Sequence, residues 1–128
     1  MRVLCGTDII EVGRVKKALE SSARFAKKVY TDAEIEYCEN KKAGRYESYA
    51  ARFAAKEAFL KAVGAGLLNG AAATDAEIVN DPATGAPAFA LHGDAARLFT
   101  QNNGVSIAVS LSHTRENALA TVVIICEK

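Results

Sequence analysis

Two carboxylates stand in stretches of sequence that are otherwise apolar. Asp8 follows Gly6 in the β-branched and apolar run of residues 3–12, and Glu57 lies within the alanine-rich residues 45–63. Because an unpaired buried charge costs several kcal/mol, each acid needs a partner. One partner is a shared Mg²⁺, which takes one or two carboxylates and leaves its other positions to water and phosphate oxygens. The other interpretation is that each acid pairs with a nearby arginine or lysine.

The helix that residues 45–63 predict also carries cations. Lys61 lies one turn after Glu57 on the same face, in the orientation that favours an ion pair. A carboxylate beside an ammonium suits a metal-assisted phosphate site, where the lysine neutralises charge on oxygen. The alternative is a surface ion pair worth roughly a few tenths of a kcal/mol. Lys56 interrupts the apolar stripe of this helix, and we expect it either to reach solvent or to meet a buried acid such as Asp8.

Ser112, His113 and Thr114 lie between two β-rich runs, residues 105–111 and 118–125, in a predicted hairpin connection. A Ser–His hydrolase is disfavoured, because the G-x-S-x-G turn is absent and neighbouring strand residues point to opposite faces. Histidine, threonine and arginine clustered in a turn suit a phosphate ligand. An ordinary polar loop is the alternative interpretation.

Positive charge is concentrated near the N-terminus. Residues 14–28 hold six cations and one acid, a net charge of +5, so the rest of the chain carries −4 of the overall +1. Such a patch favours an acidic protein partner. Nucleic acid is disfavoured, because Phe25 is the one aromatic residue among these cations and the whole chain is nearly neutral. A merely solvated face is the alternative.

Length and composition exclude several classes of protein. A chain of 128 residues, 50% hydrophobic and 24% charged, is typical of one folded domain, here residues 1–128. The longest uncharged run, residues 62–74, is too short and too rich in glycine and alanine to span a bilayer, and no signal peptide is evident. Three widely spaced cysteines match neither a disulfide framework nor a thiolate zinc site. We therefore expect a cytoplasmic protein with reduced thiols.

The pattern of apolar residues predicts an α+β domain in which residues 45–63 form a central buried helix that Gly64 and Gly66 end. A capping box of Thr31 and Glu34 opens an earlier helix that runs to about residue 40. Strands are predicted at residues 3–12, 77–79, 88–91, 105–111 and 118–125, and further helices from residue 14, at 23–29 and at 94–101.

Taken together, these residues resemble the holo-[acyl-carrier-protein] synthases, which are small phosphopantetheinyl transferases. Three blocks carry the resemblance: GTDIIEVGR at residues 6–14, RFAAKEAFLKA at residues 52–62, and SLSH at residues 110–113 followed by ALA at 118–120. Their order and spacing fit that family, as does the length of the chain. The family often has a second glycine two residues before Gly6, where this chain has Leu4, but neither carboxylate is affected.

The resemblance implies an antiparallel sheet wrapped around the central helix, and a reaction. Such enzymes transfer the 4′-phosphopantetheine arm of coenzyme A to a serine of an apo acyl carrier protein in fatty acid biosynthesis, with Mg²⁺, and release adenosine 3′,5′-bisphosphate. By this resemblance Asp8 and Glu57 are the Mg²⁺ ligands and Lys61 contacts the pyrophosphate. The implied nucleotide-site residues are Arg52, Gly66, Ser112, His113 and Thr114. The acceptor of the serine proton stays open between a metal-held water and one of the acids.

The resemblance also implies a homotrimer with its sites between subunits, so that the hairpin carrying His113 completes a neighbour's site. Acyl carrier proteins are acidic, which suits the basic patch, with Arg14 and Arg24 as the expected docking residues. The residues alone leave two other functions open. One is a non-catalytic module that binds an acidic protein. The other is a different metal-dependent phosphotransfer or hydrolysis of a nucleotide, which would not depend on a carrier.

Overall fold

The computed structural model describes residues 1–65 and 72–128. The predicted α+β class is confirmed. The elements of these ranges are β1 (Arg2–Glu11), α1 (Val12–Ser21), α2 (Ala23–Val29), α3 (Asp32–Glu39), α4 (Arg45–Ala62), β2 (Ala76–Asn80), β3 (Pro87–Leu91), α5 (Gly93–Gln101), β4 (Gly104–His113) and β5 (Asn117–Cys126).

Three strands form an antiparallel sheet in the order β1–β5–β4, and β2 pairs with β3 in a separate antiparallel hairpin. Side chains of β5 alternate between the two faces of the sheet, as a strand dictates. Ala118, Ala120, Val122 and Ile124 are buried on the inner face, while the residues between them lie on the outer face. Asp8 stands opposite Ala120 in the register and therefore lies on the inner face of β1.

Helix α4 packs on the inner face of this sheet and is the centre of the core. Eleven of its 18 residues are buried, so nearly every face of the helix is covered, as the sequence predicts. Its alanines favour the helical conformation, and their small side chains let the strands approach closely. Ala54, Ala55 and Ala58 have no exposed surface and lie in one cluster with residues of β5 and β2.

Gly6 allows α4 and β1 to approach more closely than side chains would permit. A methyl group at Gly6 would overlap the carbonyl oxygen of Ala58 and lie 2.8 Å from the amide nitrogen of Ala62. The sequence run that precedes Asp8 is therefore constrained by backbone packing.

The N-terminal helices form a second apolar cluster at one end of α4. Its buried members include Val12, Val15, Val29, Tyr30 and Tyr49. Helix α3 begins with the predicted capping box, in which Thr31 Oγ1 accepts from the Glu34 amide and Glu34 Oε1 accepts from the Thr31 amide. The cluster fixes the short helices α1 to α3 against α4.

The element bounds differ from the prediction by one or two residues at most ends, and one of these differences affects candidate site residues. Strand β4 continues to His113 and β5 begins at Asn117, so Ser112 and His113 belong to the strand and not to the connection. The reason is that the ladder continues, with His113 paired to Ala118 and the Thr114 amide donating to the Asn117 carbonyl.

All three cysteines are free thiols, and Cys5 is exposed. Among the helices within residues 1–65 and 72–128, none has the length and hydropathy needed to cross a membrane.

Substitution Gly6→Ala is expected to lower the free energy of unfolding by about 3 kcal/mol, the upper end of the usual cost of overpacking, because the neighbouring atoms belong to helix backbone. Urea unfolding measures this change. The matched control is Gly13→Ala in α1, where a methyl group meets nothing within 4 Å and should raise stability by about 0.5–1 kcal/mol. Equal stabilities of the two variants would contradict the close approach.

Candidate active site

Asp8 and Lys61 meet at the junction of β1 and α4. The Lys61 ammonium donates to Asp8 Oδ1 at 2.9 Å and to the Thr7 carbonyl at 3.0 Å. The Asp8 side chain is 17% exposed and that of Lys61 57% exposed, so the pair lies at the rim of the core and is open to solvent on one side. The structure thus brings together two of the three predicted catalytic residues.

Glu57 lies close enough to Asp8 and Lys61 for their charges to change the pKa of its carboxyl. Burial raises the pKa of the Glu57 carboxyl, the negative charge of Asp8 raises it further, and the Lys61 ammonium opposes both effects. The alternative that each acid pairs with a nearby cation is confirmed for Asp8, which pairs with Lys61, whereas the predicted Glu57–Lys61 ion pair is not formed. Two carboxylates from different elements therefore lie near one ammonium.

The donor set of this site fits Mg²⁺. Within the described ranges no group of three or more His, Cys, Asp or Glu side chains is placed to hold a metal ion. Mg²⁺ does not require such a cage, because it commonly uses one or two carboxylates and keeps water and phosphate oxygens as its remaining ligands. Asp8 and Glu57 supply hard oxygen donors whose mutual repulsion a cation would relieve.

Lys56 does not meet Asp8, and it does not reach solvent. Its ammonium donates to Glu34 Oε1 at 2.8 Å and to the carbonyl oxygens of Ala73 and Ala76, and both charged side chains are buried. The predicted contact with a buried acid is confirmed, but the acid is Glu34 and not Asp8, because Lys56 points toward α3 and β2. Burial lowers the pKa of the Lys56 ammonium, and Glu34 partly restores it.

Arg52 is a buried cation that no carboxylate fully neutralises. The residue is 3% exposed, and Nη2 donates to the Asn80 side-chain oxygen. Its Nε has no hydrogen-bond partner among the described residues and lies 3.9 Å from Glu34 Oε2. Because Lys56 already pairs with Glu34, two cations share one acid. A buried positive charge that lacks a full counter-charge favours an anionic ligand.

Arg52 borders two adjoining cavities of about 470 and 450 Å³. We call them together the Arg52 groove. Both are lined by Tyr37, Lys41, Arg52, Asn80 and Gly85.

His113 lines the second cavity, so the structure brings His113 and Arg52 to one groove. Ser112 is exposed and lies on the other face of β4, and the Thr114 hydroxyl accepts from the amides of Glu116 and Asn117 within the turn. Gly66, the remaining predicted nucleotide-site residue, lies outside the described residues.

The two groups of candidate residues are separate within one chain. Glu57 and Lys61 project from α4 toward Asp8 on β1, whereas the lining of the Arg52 groove comes from α3, α4, β2, β3, β4 and the loops around them. Three residues that line the groove were not predicted from the sequence: Tyr37, Lys41 and Asn80. The one local signal was the spacing of Tyr37 and Lys41, four residues apart at the end of a helix.

Arg14 and Arg24 are both exposed on the first two helices. Beside Arg14 lies a small recess of about 150 Å³ lined by Ile10, Val15, Phe25 and Phe53, among others. Lys27 pairs with Asp32 at the surface, so part of the predicted basic patch has an acid from the same chain. The patch is a solvent-facing surface with an apolar recess at its edge.

The fold agrees with comparisons to known proteins. Residues 4–122 match the family model of the 4′-phosphopantetheinyl transferase superfamily. The chain therefore belongs to this superfamily.

Within this superfamily, the chain is similar to the holo-[acyl-carrier-protein] synthases. The holo-[acyl-carrier-protein] synthase of Ruminiclostridium cellulolyticum is 51% identical over 97% of this chain and 92% of its own length. A Bacillus anthracis holo-(acyl-carrier-protein) synthase in complex with CoA (3′,5′-ADP) superimposes with a TM-score of 0.78 at 31% identity, covering 97% of this chain and 96% of that one. A Helicobacter pylori holo-[acyl-carrier-protein] synthase in complex with coenzyme A gives a TM-score of 0.81 at 28% identity, covering 95% and 100%.

These comparisons confirm the resemblance read from the three sequence blocks. They also confirm the fold class, an antiparallel sheet around a central helix of the 4′-phosphopantetheinyl transferase type. The expected enzyme class, a phosphopantetheinyl transferase of the holo-[acyl-carrier-protein] synthase type, is confirmed by the family model and the curated relative.

Proposed function

We propose that this enzyme transfers 4′-phosphopantetheine from coenzyme A to a serine hydroxyl of an apo acyl carrier protein, with Mg²⁺ as cofactor. The serine oxygen forms a bond to the phosphorus that carries pantetheine, and the bridging P–O bond breaks. Adenosine 3′,5′-bisphosphate leaves with the bridging oxygen, and the serine proton passes to a water in the site or to one of the two acids, Asp8 or Glu57. The observation that carries the proposal is the meeting of Asp8, Glu57 and Lys61 at the junction of β1 and α4.

Phosphoryl transfer needs positioning and charge stabilisation more than covalent chemistry from the protein. Asp8 and Glu57 would hold Mg²⁺, which when bound stabilises negative charge on the phosphate oxygens as a Lewis acid. Lys61 contacts the pyrophosphate and balances charge on the leaving group. Its side chain is 57% exposed, and the ammonium donates to the Thr7 carbonyl as well as to Asp8, so it is held at the site while remaining accessible to a substrate.

The adenosine end of coenzyme A is the anion that suits the Arg52 groove. In our proposal Arg52 and His113 bind its phosphates within the groove, and Gly66, Ser112 and Thr114 are further nucleotide-site residues, with Ser112 and Thr114 outside the lining of the groove in one chain. The incompletely neutralised Arg52 guanidinium supports this role, because a phosphate in the groove would supply the negative charge that Glu34, shared with Lys56, does not fully provide.

The carrier protein docks on the basic face of α1 and α2 through Arg14 and Arg24. Carrier proteins of this type are acidic, and opposite charges steer association and fix orientation. The recess beside Arg14 offers an apolar contact next to these charges. Nucleic acid and membranes are not proposed as partners.

We further propose that three copies assemble through the outer face of the β1–β5–β4 sheet. Val3 and Ile9 on β1 are 57% and 64% exposed there, and Leu119 and Ile125 on β5 are 40% and 37% exposed. Exposed apolar patches of this kind mark interaction surfaces. A trimer would let the Arg52 groove of one copy complete the Asp8 site of the next, which accounts for their separation in one chain.

In the cell, we propose a single-domain cytoplasmic enzyme, residues 1–128, that serves fatty acid biosynthesis. The free thiols suit a reducing compartment.

Incubating an apo acyl carrier protein with this enzyme, coenzyme A and Mg²⁺ should add the mass of one phosphopantetheine to the carrier, and EDTA should abolish the gain. Intact-protein mass spectrometry measures both. Asp8→Ala and Glu57→Ala should lower turnover at least about 100-fold, the usual loss when a preorganised electrostatic contact is removed.

Glu36→Ala is the matched control, since Glu36 is an exposed acid that contacts neither Asp8 nor Lys61 and lines neither cavity of the Arg52 groove. Circular dichroism verifies that each variant folds. If no folded carrier gains mass, or if both site variants turn over like the wild type, the proposed reaction or its metal site is wrong.

Charge reversal at Arg14 and Arg24 together should weaken carrier binding at least about tenfold, because it replaces attraction of an acidic partner by repulsion. Surface plasmon resonance at several salt concentrations should also show the wild-type affinity falling as salt rises. Arg97→Glu on α5 reverses an exposed charge outside the patch and should leave binding unchanged. An affinity that does not depend on salt contradicts docking through this face.

Sedimentation should give a trimer, and mixed variants should reveal a shared site. Asp8→Ala and His113→Ala proteins, unfolded and refolded together, should regain activity at about a quarter of the sites, the statistical share when two subunits form each site. Mixing Asp8→Ala with Glu57→Ala should restore nothing, because both changes damage the same half. Recovery in neither mixture, with trimers present, would show that each chain holds a complete site.

A further inference from the structure

Tyr37, near the end of α3, lies against two cations of the Arg52 groove. The Arg52 guanidinium carbon is 4.1 Å from the centroid of the Tyr37 ring, and Lys41 Nζ is 4.8 Å from it. Tyr37 is half-buried and lines both cavities together with these two residues. Cations within about 6 Å of an aromatic centroid are attracted by the ring. The ring therefore holds two positive groups on one wall of the groove.

These cations have little other compensation. The carboxylate within ion-pair distance of Arg52 is Glu34, at 3.9 Å, and Glu34 is already bound by Lys56 at 2.8 Å. In the part of the chain that the structure describes, Lys41 forms no ion pair. Two like charges drawn to one ring repel each other and leave a net positive wall, which an anion would neutralise. Glu47 and Asp81 line one cavity each but form no ion pair with Arg52 or Lys41.

We infer that Tyr37 is a positioning residue for coenzyme A: its ring holds Arg52 and Lys41 in place to bind the phosphates of the adenosine end. This inference rests on the proposed function, in which Arg52 contacts those phosphates. Tyr37 acts through the two cations and lies away from Asp8, Glu57 and Lys61. It governs binding of the nucleotide, and the chemical step does not depend on it.

The test compares Tyr37→Leu with Tyr37→Phe. Loss of the ring should raise the Kd for adenosine 3′,5′-bisphosphate, measured by calorimetry, and the KM for coenzyme A by about fivefold to tenfold, as expected for loss of a partly desolvated cation–π contact. The kcat should stay within about twofold, since only nucleotide binding is lost. Tyr37→Phe keeps the ring and should behave as the wild type.

Tyr46→Leu is the matched control. The Tyr46 ring also lies against two cations, Arg45 at 4.6 Å and Lys16 at 5.3 Å, but Tyr46 lines a different cavity. Its replacement removes the same kind of contact and should leave the Kd unchanged. If Tyr37→Leu does not fold, Lys41→Met is the second test variant. It keeps the Tyr37 ring but removes one of the two cations, and it should still weaken nucleotide binding severalfold.

Wild-type Kd values in Tyr37→Leu or Lys41→Met overturn the inference. So does a Tyr37→Phe protein as impaired as Tyr37→Leu, an equal loss in Tyr46→Leu, or a fall in kcat at unchanged Kd. The proposed function fails separately, when the wild-type protein leaves the mass of every carrier unchanged.

Discussion

Helix α4 lies directly against β1 because Gly6 presents no side chain to it. That contact positions the candidate site residues Asp8 and Lys61 relative to each other. Asp8 follows two residues later on the same face of β1, and the Lys61 ammonium reaches both Asp8 and the Thr7 carbonyl at hydrogen-bond distance. An ordinary side chain between strand and helix would move the two backbones apart and carry the ammonium out of reach. The candidate site thus depends on a backbone contact made by residues that take no part in the reaction.

The charged side chains of α4 lie in distinct environments, and the buried ones orient the helix. Lys56 pairs with Glu34, whose oxygens also accept from the amides of Thr31 and Ile78. Such a buried pair adds little net stability over an apolar pair, but losing one partner is costly. It therefore favours one rotation of α4 about its axis. Glu57 follows Lys56 directly, so the pair that faces α3 also directs Glu57 toward Asp8.

Local sequence patterns predicted the elements well, because capping boxes, glycine stops and alternating strands act within a few residues. The predicted Thr31–Glu34 capping box is present. The Glu34 side chain also accepts from Lys56, 22 residues away, and a capping pattern cannot predict that contact. For Lys56 the sequence left open either solvent or a buried acid such as Asp8, and the acid that it meets is Glu34. Nothing local encodes the pairing of Lys61 with Asp8 across 53 residues. The apolar surroundings and the resemblance placed Asp8, Glu57 and Lys61 in one site, but the ion pair between Lys61 and Asp8 was not predicted.

The Asp8 site and the Arg52 groove are separate in one chain because of the geometry of one helix. Helix α4 directs Glu57 and Lys61 toward β1 and Arg52 toward α3 and β2, so one extended ligand cannot touch both sides of the same helix without passing around it. Strand β1 carries Asp8 on its inner face and exposed Val3 and Ile9 on its outer face. The strand that carries the acid proposed to bind Mg²⁺ therefore also carries the apolar surface proposed for assembly. In the proposed trimer, association through that surface and completion of the site are a single event, and an isolated chain would hold both halves without a complete site.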